Sequence, residues 1–370
     1  MINRLILVGN GFDLAHGLKT SYKDFIEDYL CNAINVFISG GCHDDKLLYI
    51  GSEMSRNGLS PITDLGKLRD IIATLKKHKH FKFKSPFFEK IFNTTSVENW
   101  IDIENEYFDL LKSFIYDQKG TIILLNKLHP EYNSALDKIM LLNEEFDFLK
   151  NLLEQYLNNK TSNFIPQNFD EFEALVCQKI DVNENPALNL EKEVFPNSLY
   201  FLNFNYTHTV ENYFGLLNTE IDRNLNYIHG KLNNPQNPII FGFGDEHDKD
   251  FKNFETIKSK KQFDHIKSFK YSKTVNYQKA LGYIDSCAFE VYVLGHSCGL
   301  SDRTLLKSIF EHENCKSIRV FYHEKENGTN DYWDKQIDIS RHFSDKSLFR
   351  KKLVSEQNSI PLKFNLTQPQ

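Results

Sequence analysis

The sequence is short of the features that mark zinc ribbons, membranes, secretion and nucleic-acid coats. Its six cysteines (Cys31, Cys42, Cys177, Cys287, Cys298, Cys315) contain no CxxC pair and no histidine at zinc-ligand spacing. They are expected to be buried thiols in a reducing cytoplasm. No apolar run approaches the length of a membrane span, and no basic-plus-apolar leader opens the sequence, so neither a membrane partner nor secretion is expected. Positive charge is not in excess either. The net charge of −6 offers no global electrostatic reason to bind nucleic acid. The one basic stretch, Lys76-Lys77-His78-Lys79-His80-Phe81-Lys82-Phe83-Lys84, reads as a solvated loop before Pro86. No HExxH or DxDxDG pattern is present, and the carboxylates Asp102, Glu104, Glu106 and Asp109 read as a solvated face, so no metal is expected. There is no internal repeat.

What is present is a large apolar and aromatic content. Hydrophobic residues make up 41% of the 370 positions, with 31 Phe and 17 Tyr, enough for two ordinary domains or one with insertions. The most telling segment is LILVGNGFDLAHGLKTSY at 5–22. An apolar strand-type run stops at Gly9-Asn10-Gly11 and a helix-forming sequence follows. Such a turn aims backbone N–H groups at a phosphate, with Gly9 and Gly11 expected to supply positive φ and close approach. The third glycine of a dinucleotide fingerprint is replaced by Leu14, so the turn alone does not define a ligand.

Ser21-x-x-Asp24 then has the form of a capping box starting a helix through Phe25, Tyr29 and Ile34. Residues 39–66 read as loop. Helical spacing follows at Phe87–Phe92, Trp100–Tyr116, Ser134–Leu157 and Asp170–Ile180. From about residue 198 the pattern changes to short apolar strands: Leu199–Phe204, Leu225–Ile228, Pro238–Phe241, Phe289–Leu294 and Ser317–Tyr322. Helices at Tyr277–Ser286, Asp302–Glu311 and Asp331–Phe343 separate several of them. This alternation predicts a parallel α/β sheet, built from 1–39 and 196–325, with a mostly helical insertion at 40–195 and a C-terminal helix and tail at 326–370.

In open α/β sheets ligands bind beyond the carboxyl ends of the strands. The residues there are Gly9-Asn10-Gly11-Phe12-Asp13, Asn205-Tyr206-Thr207-His208, His229-Gly230 and Gly295-His296-Ser297 with Ser301-Asp302. GNGFDLAHGLK resembles the sirtuin glycine loop, with Gly9, Gly11 and Gly17 in register. Asn203–Thr207 resembles the TxNxD-type segment of sirtuin-like domains, Tyr227-Ile228-His229-Gly230 their HG segment, and Gly295-His296-Ser297 with Ser301-Asp302 their GxS…D segment. More closely, GNGFDLAHGL-x-TSY with downstream FNYT, IHG and GHSxxxSD resembles the AbiH family of bacteriophage abortive-infection proteins. Trp100-x-Asp102-x-Glu104 is read as part of the same pattern.

The resemblance implies a sirtuin-like, Rossmann-type domain serving phage defence, with NAD as substrate or ligand. It places Gly9, Asn10, Gly11, Phe12, Asp13, Tyr206, Gly295, Ser297 and Asp302 around the nucleotide. A phage-derived trigger and self-association are the further partners it implies. Three positions depart from the sirtuin pattern: Asp13 stands for Ser, Lys19 for Pro and Thr207 for Asp. The missing four-cysteine ribbon argues against deacylation.

Residue chemistry fits cleavage of the nicotinamide–ribose bond, whose leaving group is already a cationic pyridinium. His229 suits a base near neutral pH, or is a satisfied core histidine. Asn205 suits positioning of water or a carboxamide, because an amide both donates and accepts. Ser297 and Asp302 would hold ribose hydroxyls, although for Asp302 helix capping is the preferred reading. Two rivals stay open. Gly295-His296-Ser297-Cys298-Gly299 matches a GxSxG nucleophile elbow, with His323 or His342 as partner. Alternatively, the crevice binds a nucleotide signal without catalysis.

Overall fold

Alternating residues of each apolar run point to opposite faces of a strand, and here both sets are buried. In the computed structural model, which describes residues 2–51, 67–97, 102–180, 193–325 and 327–364, Leu5 and Leu7 enter one core while Ile6 and Val8 enter another. The same division holds for Tyr200 and Leu202 against Leu199 and Phe201, and for Val291 and Val293 against Tyr292 and Leu294. A sheet buried on both faces is expected to be parallel and covered by helices.

Five strands meet that expectation: β1 (Asn3–Val8), β2 (Ser198–Asn203), β3 (Asp222–Tyr227), β4 (Phe289–Leu294) and β5 (Cys315–Phe321). Their order is β3-β2-β1-β4-β5, all parallel. Helices Asn276–Ser286, Arg303–Phe310 and Tyr332–Arg341 fill one core, and Phe169–Cys177 and Thr209–Phe214 the other. The architecture is Rossmann-like α/β. The order in which successive strands are added to the sheet reverses between β1 and β4, which puts the topological switch point where the Gly9 and Gly295 turns end their strands.

One expected strand is absent. Pro238–Phe241 pairs with no strand of the sheet. Pro238 has no N–H for a ladder, and Ile240 N–H donates to the His229 carbonyl at 2.7 Å. The segment thus covers His229 instead of extending the sheet.

The chain groups into two compact units. One comprises Met1–Lys19, Leu157–Lys252 and Ile266–Gln370 and holds the parallel sheet; the other comprises Thr20–Tyr156 and Asn253–His265. The helix Tyr22–Ile38 therefore groups with the helical segment, and residues 157–195 group with the sheet. In the second unit the capping box forms as read: Ser21 Oγ accepts Asp24 N–H at 3.1 Å, and Asp24 Oδ2 accepts Ser21 N–H at 3.3 Å. Helices follow at Leu68–Lys77, Pro86–Val97 and Ile103–Ile115, and the helix Tyr132–Thr161 belongs to this unit as far as Tyr156. Short strands His43–Asp44, Leu48–Ile50 and Phe81–Phe83 form an antiparallel sheet. Part of the expected 39–66 loop and part of the basic stretch are therefore strand, because Leu48, Ile50 and Phe81 bury alternate side chains. Residues 52–66 and Trp100 lie outside the described residues.

Candidate functional site

The β1 turn is built differently from the expected phosphate loop. Gly9 has φ −123° and Gly11 lies in the helix Asn10–Ala15, so neither takes a positive φ. Their missing side chains serve backbone packing instead. A Cβ on Gly9 would sit 2.4 Å from His296 Cα, and one on Gly11 2.7 Å from the Gly295 carbonyl. Gly295 is the residue with positive φ (+71°), and its Cβ would meet Phe12 N at 2.1 Å. The N–H groups of Gly9, Gly11 and Phe12 donate to the carbonyls of Leu294, Gly295 and Gly9. The two turns at the switch point are thus bonded to each other.

Side chains of this turn point inward. Phe12 is fully buried against Phe172, Tyr213 and Phe364. Asp13 is buried too, with Oδ2 accepting Thr207 Oγ1 at 2.7 Å and Oδ1 accepting Asn205 Nδ2 at 3.3 Å. Desolvation pushes its carboxyl up to about 6, against the lowering effect of these neutral donors. Asn205 also donates to the Gly9 carbonyl at 3.0 Å, tying the end of β2 to the end of β1. Tyr206 is buried, and its hydroxyl lies 3.4 Å from the Ile240 carbonyl. Asn10, Gly11, Asn205, Gly295 and Ser297 are half-buried and form the accessible rim.

A charged cluster is centred on Asp302. Lys267 Nζ donates to Asp302 Oδ1 at 2.8 Å, and His229 Nε2 lies 3.2 Å from the same oxygen. His296 Nε2 lies 3.4 Å from Oδ2. All four residues are buried. Asp302 occupies the N-terminal position of the helix Arg303–Phe310, yet its side chain makes no capping bond there. The preferred capping reading is thereby overturned. An ammonium and two imidazoles hold a carboxylate more strongly than neutral amides do. Although burial opposes its charge, Lys267 and then the histidines hold the Asp302 carboxyl well below the usual carboxylate range.

The histidines are set by this anion. His296 Nδ1 accepts Cys298 N–H at 2.9 Å, which leaves Nε2–H to donate to Asp302. Burial lowers the His296 pKa and takes that of His229 down to about 4, with Lys267 adding to the latter. Both rings are neutral near pH 7. The Phe204 ring packs on both, 5.2 Å from His229 and 4.1 Å from His296. Tyr271 Oη lies 3.3 Å from His229 Nε2. With Nε2–H directed at Asp302, the Nδ1 lone pair of His229 is the one that can take a proton.

The elbow reading fails on geometry. Positive φ falls on Cys298 (+57°) and not on Ser297. Ser297 Oγ accepts Gly299 N–H, whereas His342 Nε2 bonds the Cys298 carbonyl at 2.8 Å. Among the described residues no imidazole bonds Ser297. Asp102 caps the helix Ile103–Ile115 through Asn105 N–H, and Glu106 pairs with Lys90 at 2.7 Å.

Lys267 was not found by sequence reasoning. It follows Ile266 in a lysine-rich stretch without periodicity, and Lys267 N–H is anchored to the Phe243 carbonyl at 2.8 Å. Thr207 was legible as strand-end polarity, but not as the partner of Asp13.

Among the described residues no helix is long and apolar enough to cross a membrane. Neither a curated protein nor a solved structure matches the chain. A family model described as bacteriophage abortive infection AbiH matches residues 5–324, a span that includes every strand-end residue described above. The chain belongs to the AbiH family, and with it to the proteins of bacteriophage abortive infection.

Proposed function

We propose that this AbiH protein acts in abortive infection by hydrolysing NAD at the nicotinamide–ribose bond. The observation carrying this reading is the buried Asp302–His229 pair after β3 and β4, on the side of the sheet whose strand-end turns also carry the half-buried Asn10, Asn205 and Ser297. In the proposed step, water oxygen bonds the ribose anomeric carbon as the C–N bond breaks. Nicotinamide departs with the bonding electron pair, as a neutral ring. The proton of water passes to His229 Nδ1. A weak base suffices because the sugar carries positive charge before water attacks. Asp302 holds the ring through Nε2, and the Asn205 carboxamide oxygen and Ser297 hydroxyl are the groups for water and ribose.

The residues fit the ribose end better than the pyrophosphate end. Three N–H groups of the glycine turn are already donated to protein carbonyls. That observation favours, as a second reading, a nucleotide that is bound and sensed without being cleaved. Incubating the purified protein with NAD while following nicotinamide, ADP-ribose and NAD binding separates the two. Release of both products in equal amounts supports hydrolysis, and saturable binding with NAD intact supports sensing.

A further inference from the structure

A second constellation lies in the helical unit and rests on no part of the reading above. Residues 67–84 carry seven Lys and Arg against one carboxylate, Asp70, in a chain whose net charge is −6. Lys76, Lys77, Lys79, Lys82 and Lys84 are exposed. They follow one another along the end of the helix Leu68–Lys77, a tight turn and the edge strand Phe81–Phe83. Lys84 pairs with Asp44 at 2.8 Å and Lys76 lies 3.7 Å from Glu89. Among the described residues, Lys77, Lys79 and Lys82 have no carboxylate partner.

The turn itself is unusual. Lys79 has φ +59°, the left-handed region that favours glycine. His80 N–H bonds the Leu75 carbonyl and Lys79 N–H the Lys76 carbonyl, closing the helix in a Schellman motif. The helix Asn10–Ala15 ends in the same motif, with Leu18 N–H on the Asp13 carbonyl and Gly17 N–H on the Leu14 carbonyl. There the left-handed position is Gly17 (φ +71°). Lysines on an edge strand discourage strand pairing, which accounts for Lys82 and Lys84. That does not account for a lysine kept, at a conformational cost, where the same chain uses glycine.

We propose that this strip binds the phosphodiester backbone of a single-stranded nucleic acid. Successive ammonium groups along one stretch of chain complement a chain of phosphates. The neighbouring imidazoles of His78 and His80, 6.2 Å apart and nearly parallel, offer ring faces to unpaired bases. An anionic membrane fits less well. Phe81 is buried and Lys76 Nζ lies over the Phe83 ring at 4.3 Å, so neither phenylalanine of the strip is free to insert.

The test is fluorescence anisotropy of the full-length protein with labelled single-stranded DNA and RNA, with a duplex, and with phosphatidylserine vesicles as a separate arm. Single strands should bind more tightly than duplex. With Lys77, Lys79 and Lys82 as the contacts, raising salt fourfold should weaken binding about 20-fold. Lys77→Glu/Lys82→Glu should lose binding by about 100-fold or more. Lys79→Gly should weaken binding several-fold while raising the thermal midpoint, an opposition that a purely structural lysine would not show. The proposal is overturned by absence of oligonucleotide binding at low salt, by equal binding of duplex, by variants that bind like the wild type, or by vesicle binding alone.

Discussion

Asp13 follows β1 and Asp302 follows the neighbouring strand β4, and both carboxylates are buried at strand ends. Asp13 has only neutral donors, and burial takes it up to about 6. Asp302 has Lys267 and two imidazoles, and is held well below the usual range. Equal burial therefore gives opposite results, and the partners decide which. At pH 7 Asp302 is an anion that orients histidines. Asp13 fastens two turns together and is close enough to its titration range to respond to mild acid.

The largest effect is expected at Asp302. Asp302→Ala leaves Lys267 buried without its anion and should cost about 3–5 kcal/mol in urea unfolding. Adding Lys267→Met should recover a large part of that. If the single variant were as stable as the wild type, the ion pair would not organise the site. Next in size is the acid response of His229, whose pKa falls from 6.5 when unfolded to about 4 when folded. Its neutral form contributes stability present above pH 6.5 and lost as pH falls toward 4, on the order of 3 kcal/mol. His229→Gln should make that limb of the stability–pH curve shallower by one histidine's share, since His16 and His342 are also held down to about 4.

Smaller changes sharpen the Asp13 side. Thr207→Val removes the 2.7 Å hydrogen bond to a buried carboxylate and should cost about 1–3 kcal/mol, more at pH 7 than at pH 4. Asp13 itself runs opposite to His229. Its folded pKa of about 6 lies above the ordinary value of 3.8, so its protonated form stabilises fully below pH 3.8 and that contribution is lost as pH rises through 6. Asp13→Asn should therefore gain about 1 kcal/mol at neutral pH, the lost charge-assisted bonds offsetting part of the benefit, and match the wild type near pH 4. A neutral-pH loss above 2 kcal/mol would show that the charge itself is needed.

The fold was legible wherever one pattern dominated. The runs at 5–8, 199–204 and 289–294, apolar except for Asn203 and Glu290, marked a sheet buried on both faces, and Ser21-x-x-Asp24 marked a helix start. Pro238–Phe241 misled because an apolar run does not reveal whether a ladder partner exists. At the site, the strand-end rule brought His229, His296 and Asp302 to one place in sequence reasoning. What it missed depends on contacts between distant residues. The glycines at 9 and 11 look like ligand-facing glycines but are needed for approach to Gly295 and His296. Lys267 lies 35 residues from Asp302 and carries no local signature.

In the proposed reaction, the Asp302-held imidazole of His229 serves NAD cleavage. The most direct measurement is nicotinamide release from NAD by wild type and His229→Ala, with the thermal midpoint of each recorded alongside. The account predicts release by the wild type and a loss of about a hundredfold or more in a variant that remains folded. Wild-type protein that leaves NAD intact, or a folded His229→Ala protein that releases nicotinamide at the wild-type rate, would contradict it.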